Sequence, residues 1–135
     1  MNRRESWKLP LFLLFFLIVS LLCGFAPKDR GVWLAEVIPS WIMVLAVVAL
    51  WLRGIRFSVM AYIFLLIPLS MEAVGGHFSY SEVPCGWFND LIGGTRNCYD
   101  RAAHVAVGCF AWPLLEWIEQ KRWSNSPWFT AVMTV

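Results

Sequence analysis

Aspartate and histidine side chains in the last third of the chain have a spacing that suits metal binding or proton transfer. Asp100 and His104 are four residues apart, so on a helix that begins near Cys98 they share one face. A carboxylate and an imidazole at that spacing can bind one metal ion, or the carboxylate can orient the imidazole for proton transfer. The same residues also suit a structural role, because Asn97 is a good N-cap and Asp100 follows it by three residues, as in a capping box.

A second polar stretch lies further upstream. His77 directly follows Gly75-Gly76, and glycines at such a point either allow close backbone approach or end a helix. His77 is then either a solvated loop residue or, together with Asp100 and His104, a ligand of a divalent metal ion. Glu82 is either a further member of this cluster or a solvated loop carboxylate.

The composition is that of a membrane protein. Of 135 residues, 59% are hydrophobic and 15% are charged, and the mean hydropathy is +0.62. A disordered chain needs low hydrophobicity and high charge, and a soluble globule needs more polar residues to cover its surface. The net charge of +2 is too small to indicate nucleic-acid binding. We therefore expect the lipid bilayer as the main partner, and no protein partner can be named from the sequence.

Four apolar stretches predict membrane-spanning helices of about 18 or more residues, since such a helix crosses roughly 30 Å of hydrocarbon. The stretches are about 9–26, 32–52, 57–74 and 102–118. Residues 127–135 are apolar but too few to span, and they resemble the start of an incomplete fifth helix. The expected architecture is an all-α, polytopic helical bundle forming one membrane domain over residues 1–135, with an ordered outer loop over residues 75–101.

The distribution of Lys and Arg predicts the orientation of this bundle. With the N-terminus inside and four spans, seven of the 11 basic residues lie inside and four lie outside. We therefore expect a multi-pass protein with a cytoplasmic N-terminus and with residues 75–101 on the outer side.

The four cysteines lack metal-binding spacing, since no CxxC pair occurs. Cys85 and Cys98 fall in the same outer loop, thirteen residues apart. The outer side of a bacterial inner membrane can be oxidising, so a Cys85–Cys98 disulfide is one expectation and two free thiols are the other.

Ionisable side chains inside apolar spans usually face a cavity or a partner, because an isolated charge in lipid is costly. The spans contain three such glutamates: Glu36, Glu72 and Glu116. Glu72, near the outer end of the third stretch, is the one expected to meet His77 and His104. Glu116, near the inner end of the fourth, is expected to pair with Lys121-Arg122 or to reach the inner headgroups.

Two motifs of the outer loop together resemble the YjdF-like family of bacterial inner membrane proteins. Gly75 to Pro84 reads Gly-Gly-His-Phe-Ser-Tyr-Ser-Glu-Val-Pro, and Arg96 to His104 reads Arg-Asn-Cys-Tyr-Asp-Arg-Ala-Ala-His. The family pattern resembles Gly-Gly-His-Tyr-Thr-Tyr-Ala-Glu-Val-Pro followed by Arg-Asn-x-Tyr-Asp-Arg-x-Gly-His. The matching positions are His77, Tyr80, Glu82, Arg96, Asn97, Tyr99, Asp100, Arg101 and His104.

This resemblance implies a polytopic membrane protein and no particular activity. Val107 stands where the family tends to have Gln, and Cys85 and Cys98 match positions that are not typically cysteine. Family members usually continue past the fourth helix, so the chain resembles a shortened or incomplete member.

Two classes of function remain open at this stage. The polar cluster is either structural or partner-binding, or it belongs to a metal-dependent membrane enzyme that acts on a lipid-linked substrate at the outer leaflet. No inverted repeat favours a transporter.

Overall fold

The computed structural model describes residues 6–80, 82–84, 86 and 98–121 of the chain. This part of the chain is all-helical and contains no strand, which confirms the predicted all-α class. Its elements are α1 (Lys8–Gly24), α2 (Arg30–Leu52), α3 (Val59–His77), α4 (Cys98–Ala106), a 3₁₀ helix (Val107–Phe110) and α5 (Ala111–Gln120). The stretch expected to begin a fifth helix lies outside the described residues.

Two of the helices are long and apolar enough to cross a membrane. The best windows of α2 and α3 have mean hydropathies of 2.1 and 1.7, and α1 is a shorter apolar helix of 17 residues. These helices match the second, third and first predicted spans to within three residues at each end. The full four-span arrangement and the fifth span stay predictions.

The predicted fourth span is not one continuous α-helix in the structure. α4 ends at Ala106, a 3₁₀ turn follows, and α5 begins at Ala111. Pro113 explains where the break lies, because proline lacks an N–H and its ring clashes with the carbonyl group four residues earlier, here Cys109. Pro113 instead stands in the first turn of α5, where a backbone N–H has no intrahelical partner anyway.

α3 is the central helix, and it contacts α1, α2, α4, the 3₁₀ helix and α5. The main core lies where α3 meets α1 and α2, and aromatic contacts strengthen it. The rings of Phe12 and Tyr62 are 5.2 Å apart between centroids, and those of Phe16 and Trp41 are 5.0 Å apart. Such pairs add roughly 0.5–1.5 kcal/mol beyond the area they bury.

The outward faces of α1 and α2 are as apolar as their buried faces. Phe12 and Phe16 are buried in α1, whereas Leu21 and Leu22 of the same helix are 64% and 69% exposed. A helix that is apolar all round is typical of a protein core or a membrane. Since these leucines are exposed in the bundle, lipid is the environment that suits them.

The bundle has two chemically different ends. The histidine end is where α1 and α3 end and α2 and α4 begin, close to His77. The arginine end is where α2 and α5 end and α3 begins, close to residues 53–58.

Side chains of α5 close the arginine end. Glu116 accepts hydrogen bonds from the Ser58 backbone N–H (2.8 Å), the Ser58 hydroxyl (2.5 Å) and the Trp112 indole N–H (2.7 Å). The Gln120 amide accepts from the Arg56 backbone N–H and donates to the Arg56 carbonyl, both at 2.8 Å. Glu116 therefore caps the start of α3 through hydrogen bonds from neutral donors. Arg122 lies outside the described residues, so the pairing expected with Lys121-Arg122 stays a prediction.

Candidate functional site

A tight turn after α3 brings Tyr80 back onto the helix that precedes it. Ser79 and Tyr80 both have positive φ angles, 53° and 54°, which bulky side chains rarely adopt. The Tyr80 backbone N–H donates to the Gly75 carbonyl at 2.7 Å. The phenol hydroxyl then donates to the carboxylate of Glu72, eight residues earlier. The turn thus places an aromatic hydroxyl beside an acid of the third helix.

The glycine pair in front of His77 makes this arrangement possible. A Cβ on Gly75 would lie 2.5 Å from Tyr80 Cε1, and a Cβ on Gly76 would lie 3.2 Å from Glu36 Cβ and 3.3 Å from Trp33 Cα. Of the two roles considered for these glycines, the structure shows close approach. α3 runs through them to His77, so the loop begins later than residue 75.

Close approach of α2 at Gly76 brings two acidic side chains together. Glu36 on α2 and Glu72 on α3 lie close enough to interact electrostatically, and both line the same cavity. The Tyr80 hydroxyl donates to Glu72, so the three side chains form a chain of interacting polar groups.

A second tyrosine joins α4 to α3 beside this chain. The Tyr99 hydroxyl donates to the Met71 carbonyl at 2.8 Å, and the rings of Tyr80 and Tyr99 are 6.2 Å apart. Partial burial raises the pKa of both phenols, and the hydrogen bond to Glu72 raises the pKa of Tyr80 further. Both tyrosines are therefore neutral hydrogen-bonding groups at physiological pH.

Asp100 and His104 form the predicted pair on one face of α4. His104 Nδ1 lies 2.8 Å from the Asp100 carbonyl oxygen and 3.6 Å from the Asp100 carboxylate. Because a carbonyl oxygen only accepts, Nδ1 must donate, so in the neutral ring Nε2 carries the lone pair. His104 is 79% exposed, which makes this imidazole accessible.

A cavity of about 440 Å³ lies at the histidine end. Its size falls within the usual range of small-molecule sites, about 300–1,000 Å³. The lining combines polar groups from α2, α3, the following turn and α4, and its members are Glu36, Glu72, Tyr80, Asp100, Ala103, His104 and Val107.

His77 serves a different purpose from His104. Its Nδ1 donates to the Cys23 carbonyl at 2.8 Å, and its own carbonyl accepts from the Lys28 N–H at 3.0 Å. Pro27 stands four residues after Cys23 and has no N–H, so that carbonyl needs a partner from outside α1. Through these two hydrogen bonds His77 connects the α1–α2 loop to the end of α3.

The other matching positions are spread over the same end of the bundle. Glu82 forms an exposed ion pair with Lys28, and Arg101 is exposed on α4. Neither residue lines the cavity within the described part of the chain. Arg96, Asn97 and Cys85 lie outside the described residues, so the N-cap role expected for Asn97 stays a prediction.

Metal binding gains no support from the geometry. Within residues 6–80, 82–84, 86 and 98–121, no group of three or more His, Cys, Asp or Glu side chains is arranged to hold a metal ion.

The cysteines that the structure describes are of two kinds. Cys98 is disulfide-bonded, whereas Cys23 and Cys109 are free thiols.

Sequence reasoning gave Glu36 no site role, although a signal for one was present. An ionisable residue inside an apolar stretch is by default a functional-site hypothesis. Glu72 was expected to meet both histidines, and it lines the same cavity as His104. What the pattern could not indicate is that Glu36 and Glu72 meet each other, because the two residues are on different helices.

An apolar helical bundle whose polar groups gather at its ends is the architecture of an integral membrane protein. A family model described as "Predicted membrane protein (DUF2238)" matches residues 9–135. The chain belongs to this family of membrane proteins.

A curated relative is the "Inner membrane protein YjdF" of Escherichia coli (strain K12). It is 28% identical over 92 residues, which make up 67% of this chain and 44% of the relative. The chain thus spans less than half the length of that relative. The family and this relative confirm the resemblance to the YjdF-like family. No solved structure matches the chain.

Proposed function

We propose that this chain is an inner-membrane protein that binds a partner or ligand through the cavity at its histidine end, and that the bound group is cationic. The observation that carries the proposal is the lining of the cavity. It contains three carboxyl side chains, one phenol and one imidazole, and the lining residues within the described chain include no Lys or Arg. Such a lining favours a positively charged ligand group.

The arrangement of the acids supports a cationic group in particular. Glu36 and Glu72, from neighbouring helices, both line the cavity and interact with each other, so a cationic group beside them would relieve the repulsion between like charges. Asp100 lies 54% exposed at the rim, where it can attract a cation before it is bound. His104 Nε2 and the phenol oxygen of Tyr80 add neutral acceptors for N–H donors.

A direct test compares two probes of equal length, octanediamine and octanediol, with protein purified in detergent. We expect the diamine to raise the thermal unfolding midpoint in a saturable way and the diol to leave it unchanged. Asp100→Asn should weaken diamine binding about tenfold, because a hydrogen bond to a charged group contributes about 1.5–3 kcal/mol. Glu119→Gln, which changes an exposed acid of α5, is the matched control. Equal binding by both variants would refute a site at the histidine end.

An enzyme acting on a lipid-linked substrate is the second candidate, and the Asp100–His104 pair favours it. Asp100 holds Nδ1, so Nε2 is available as a general base at the cavity rim. The test is release of the headgroup from vesicles that contain a polyprenyl-linked sugar. Turnover that His104→Gln abolishes would establish the enzyme, and its absence in the unaltered protein would leave binding as the function.

The orientation belongs to the same proposal. The basic residues favour a cytoplasmic N-terminus and a cytoplasmic arginine end, and the inner-membrane relative agrees with the location. Cysteines introduced at positions 54 and 79, in a background without Cys23 and Cys109, test it in intact cells. An impermeant thiol reagent should label position 79 and not position 54. The reverse pattern would invert the topology.

We further propose that the disulfide partner of Cys98 is Cys85. The bond at Cys98 and the free thiols of Cys23 and Cys109 support this pairing. An oxidised pair fits a histidine end that faces the oxidising side of the membrane. Mass spectrometry of alkylated protein under non-reducing conditions tests it. Alkylation of both Cys85 and Cys98 without prior reduction would show that the bond is absent.

A further inference from the structure

An apolar groove of about 550 Å³ runs along the bundle toward its arginine end. α2 and α5 both pack on α3, and the groove lies between them. Met43, Ala46 and Leu50 line one wall, Leu114 and Trp117 line the other, and Leu65 of α3 is part of the lining. Its surface is almost entirely hydrocarbon, which suits a flexible apolar chain rather than a polar ligand.

The length and position of the groove match one leaflet of a bilayer. From Met43 to Arg53 the wall along α2 advances by ten residue steps, or about 15 Å at 1.5 Å per residue. The hydrocarbon core of a bilayer is about 30 Å thick, so one leaflet is about 15 Å. An acyl chain that enters from the arginine end can therefore fill the groove along its whole length.

Charge at the arginine end completes the match to a phospholipid. Arg53 is exposed and is the one charged residue among the described residues that line the groove. Arg56, three residues later, already donates to the carbonyls of Trp51 and Ile55 and stacks on the Trp51 ring. The guanidinium group of Arg56 thus binds within the protein. Arg53 is exposed at the end of the groove, where the phosphate of a lipid would lie.

Room for a headgroup lies next to the groove. Phe57 lines both the groove and a polar cavity of about 400 Å³ at the same end. That cavity is lined by side chains of both charges, including Lys8, Arg56 and Glu119. A headgroup attached to the phosphate can extend into it.

We propose that the groove between α2 and α5 is a binding site for one phospholipid molecule, with an acyl chain along the groove and the phosphate at Arg53. The site is independent of the cavity at the histidine end. Its occupant comes from the leaflet on the arginine side, which is the cytoplasmic leaflet if the proposed orientation holds.

Native mass spectrometry of the full chain in mild detergent, after delipidation and titration with phosphatidylglycerol, tests this site. We expect a saturable one-to-one complex. Arg53→Gln should weaken binding about tenfold, and Ala46→Trp should abolish it by filling the groove. Ala46 is exposed on the groove wall, so the indole can enter the groove without disturbing the core. Ala49→Trp, on the same wall, serves as a second blocking variant.

Matched controls lie elsewhere on α2. Ala35→Trp changes an exposed alanine outside the groove, and Arg30→Gln removes an exposed arginine at the opposite end of the helix. Both should bind lipid like the unaltered protein. The proposal would be overturned if all five variants bound the lipid equally well. A dimer that Ala46→Trp dissolves, with lipid binding unchanged, would also overturn it and assign the groove to a second copy.

Discussion

The histidine end and the arginine end each contain glutamates from apolar helices, but the two ends use them differently. At the arginine end Glu116 accepts three hydrogen bonds from neutral donors, and Gln120 bridges the Arg56 backbone. At the histidine end Glu36 and Glu72, from neighbouring helices, line a cavity with Asp100. An acid surrounded by donors stabilises the fold, whereas acids gathered around open space are available to a ligand.

Glu116→Ala should have the largest effect on stability, because it removes three hydrogen bonds and leaves the Ser58 N–H at the start of α3 without its acceptor. We expect the free energy of unfolding to fall by about 3 kcal/mol. Denaturant titration in detergent, followed by tryptophan fluorescence, measures it. Glu119→Ala on the same helix should change stability by less than about 0.5 kcal/mol. Similar losses in both variants would contradict a capping role for Glu116.

Gly75→Ala should cost about 2 kcal/mol, since the new Cβ would lie 2.5 Å from the Tyr80 ring and force it off Glu72. Gly108→Ala is the control, because a Cβ there meets nothing within 4 Å. Thermal unfolding of both variants separates the packing effect from the general effect of replacing glycine. If Gly75→Ala is as stable as Gly108→Ala, the result contradicts the close packing of the Tyr80 ring against Gly75.

Replacing the two histidines should distinguish a structural imidazole from an accessible one. His77→Ala leaves the Cys23 carbonyl without its donor and should cost about 1 kcal/mol. His104→Ala should cost less than about 0.5 kcal/mol, because His104 is exposed and its partner among the described residues, Asp100, is on the same helix. Unfolding in detergent and octanediamine binding are measured on both variants. The expected pattern is a stability loss in the first and a binding loss in the second, and the opposite pattern would exchange their roles.

Alkaline pH should give the smallest effect, through Tyr80. Its pKa is raised in the folded protein by burial and by the bond to Glu72, so the folded state holds the phenol proton more tightly than the unfolded state. Stability from this group is complete below about pH 10 and falls as pH rises further. After solvent screening we expect a few tenths of a kcal/mol. The stability of Tyr80→Phe should depend less on pH above pH 10 than that of the unaltered protein. Identical pH profiles would contradict a raised pKa of Tyr80.

Local patterns accounted for much of the fold. Runs of apolar residues predicted α1, α2 and α3 to within a few residues, because burial in lipid depends on length and hydropathy alone. The shared face of Asp100 and His104 also followed from spacing. The break at residues 107–110 was not predicted, although Pro113 was visible within that stretch.

The candidate site was only partly predictable. Tyr80, Asp100 and His104 were predicted and line the cavity, whereas His77 was grouped with them and instead bonds to Cys23. The sequence neighbours of His77 gave no indication of this, since its partner lies 54 residues earlier. The meeting of Glu36 with Glu72 was missed for the same reason.

The sequence by itself determined the membrane environment, the helical class and which residues of each helix are polar, because these depend on composition and local period. Only the tertiary structure decided what each polar group does. Glu72 and Glu116 are both acids in apolar helices, yet one lines a cavity with Glu36 and the other accepts hydrogen bonds from Ser58. The physical reason is that a buried acid must satisfy its oxygens with whichever donors packing brings within about 3 Å, and these donors come from distant parts of the chain.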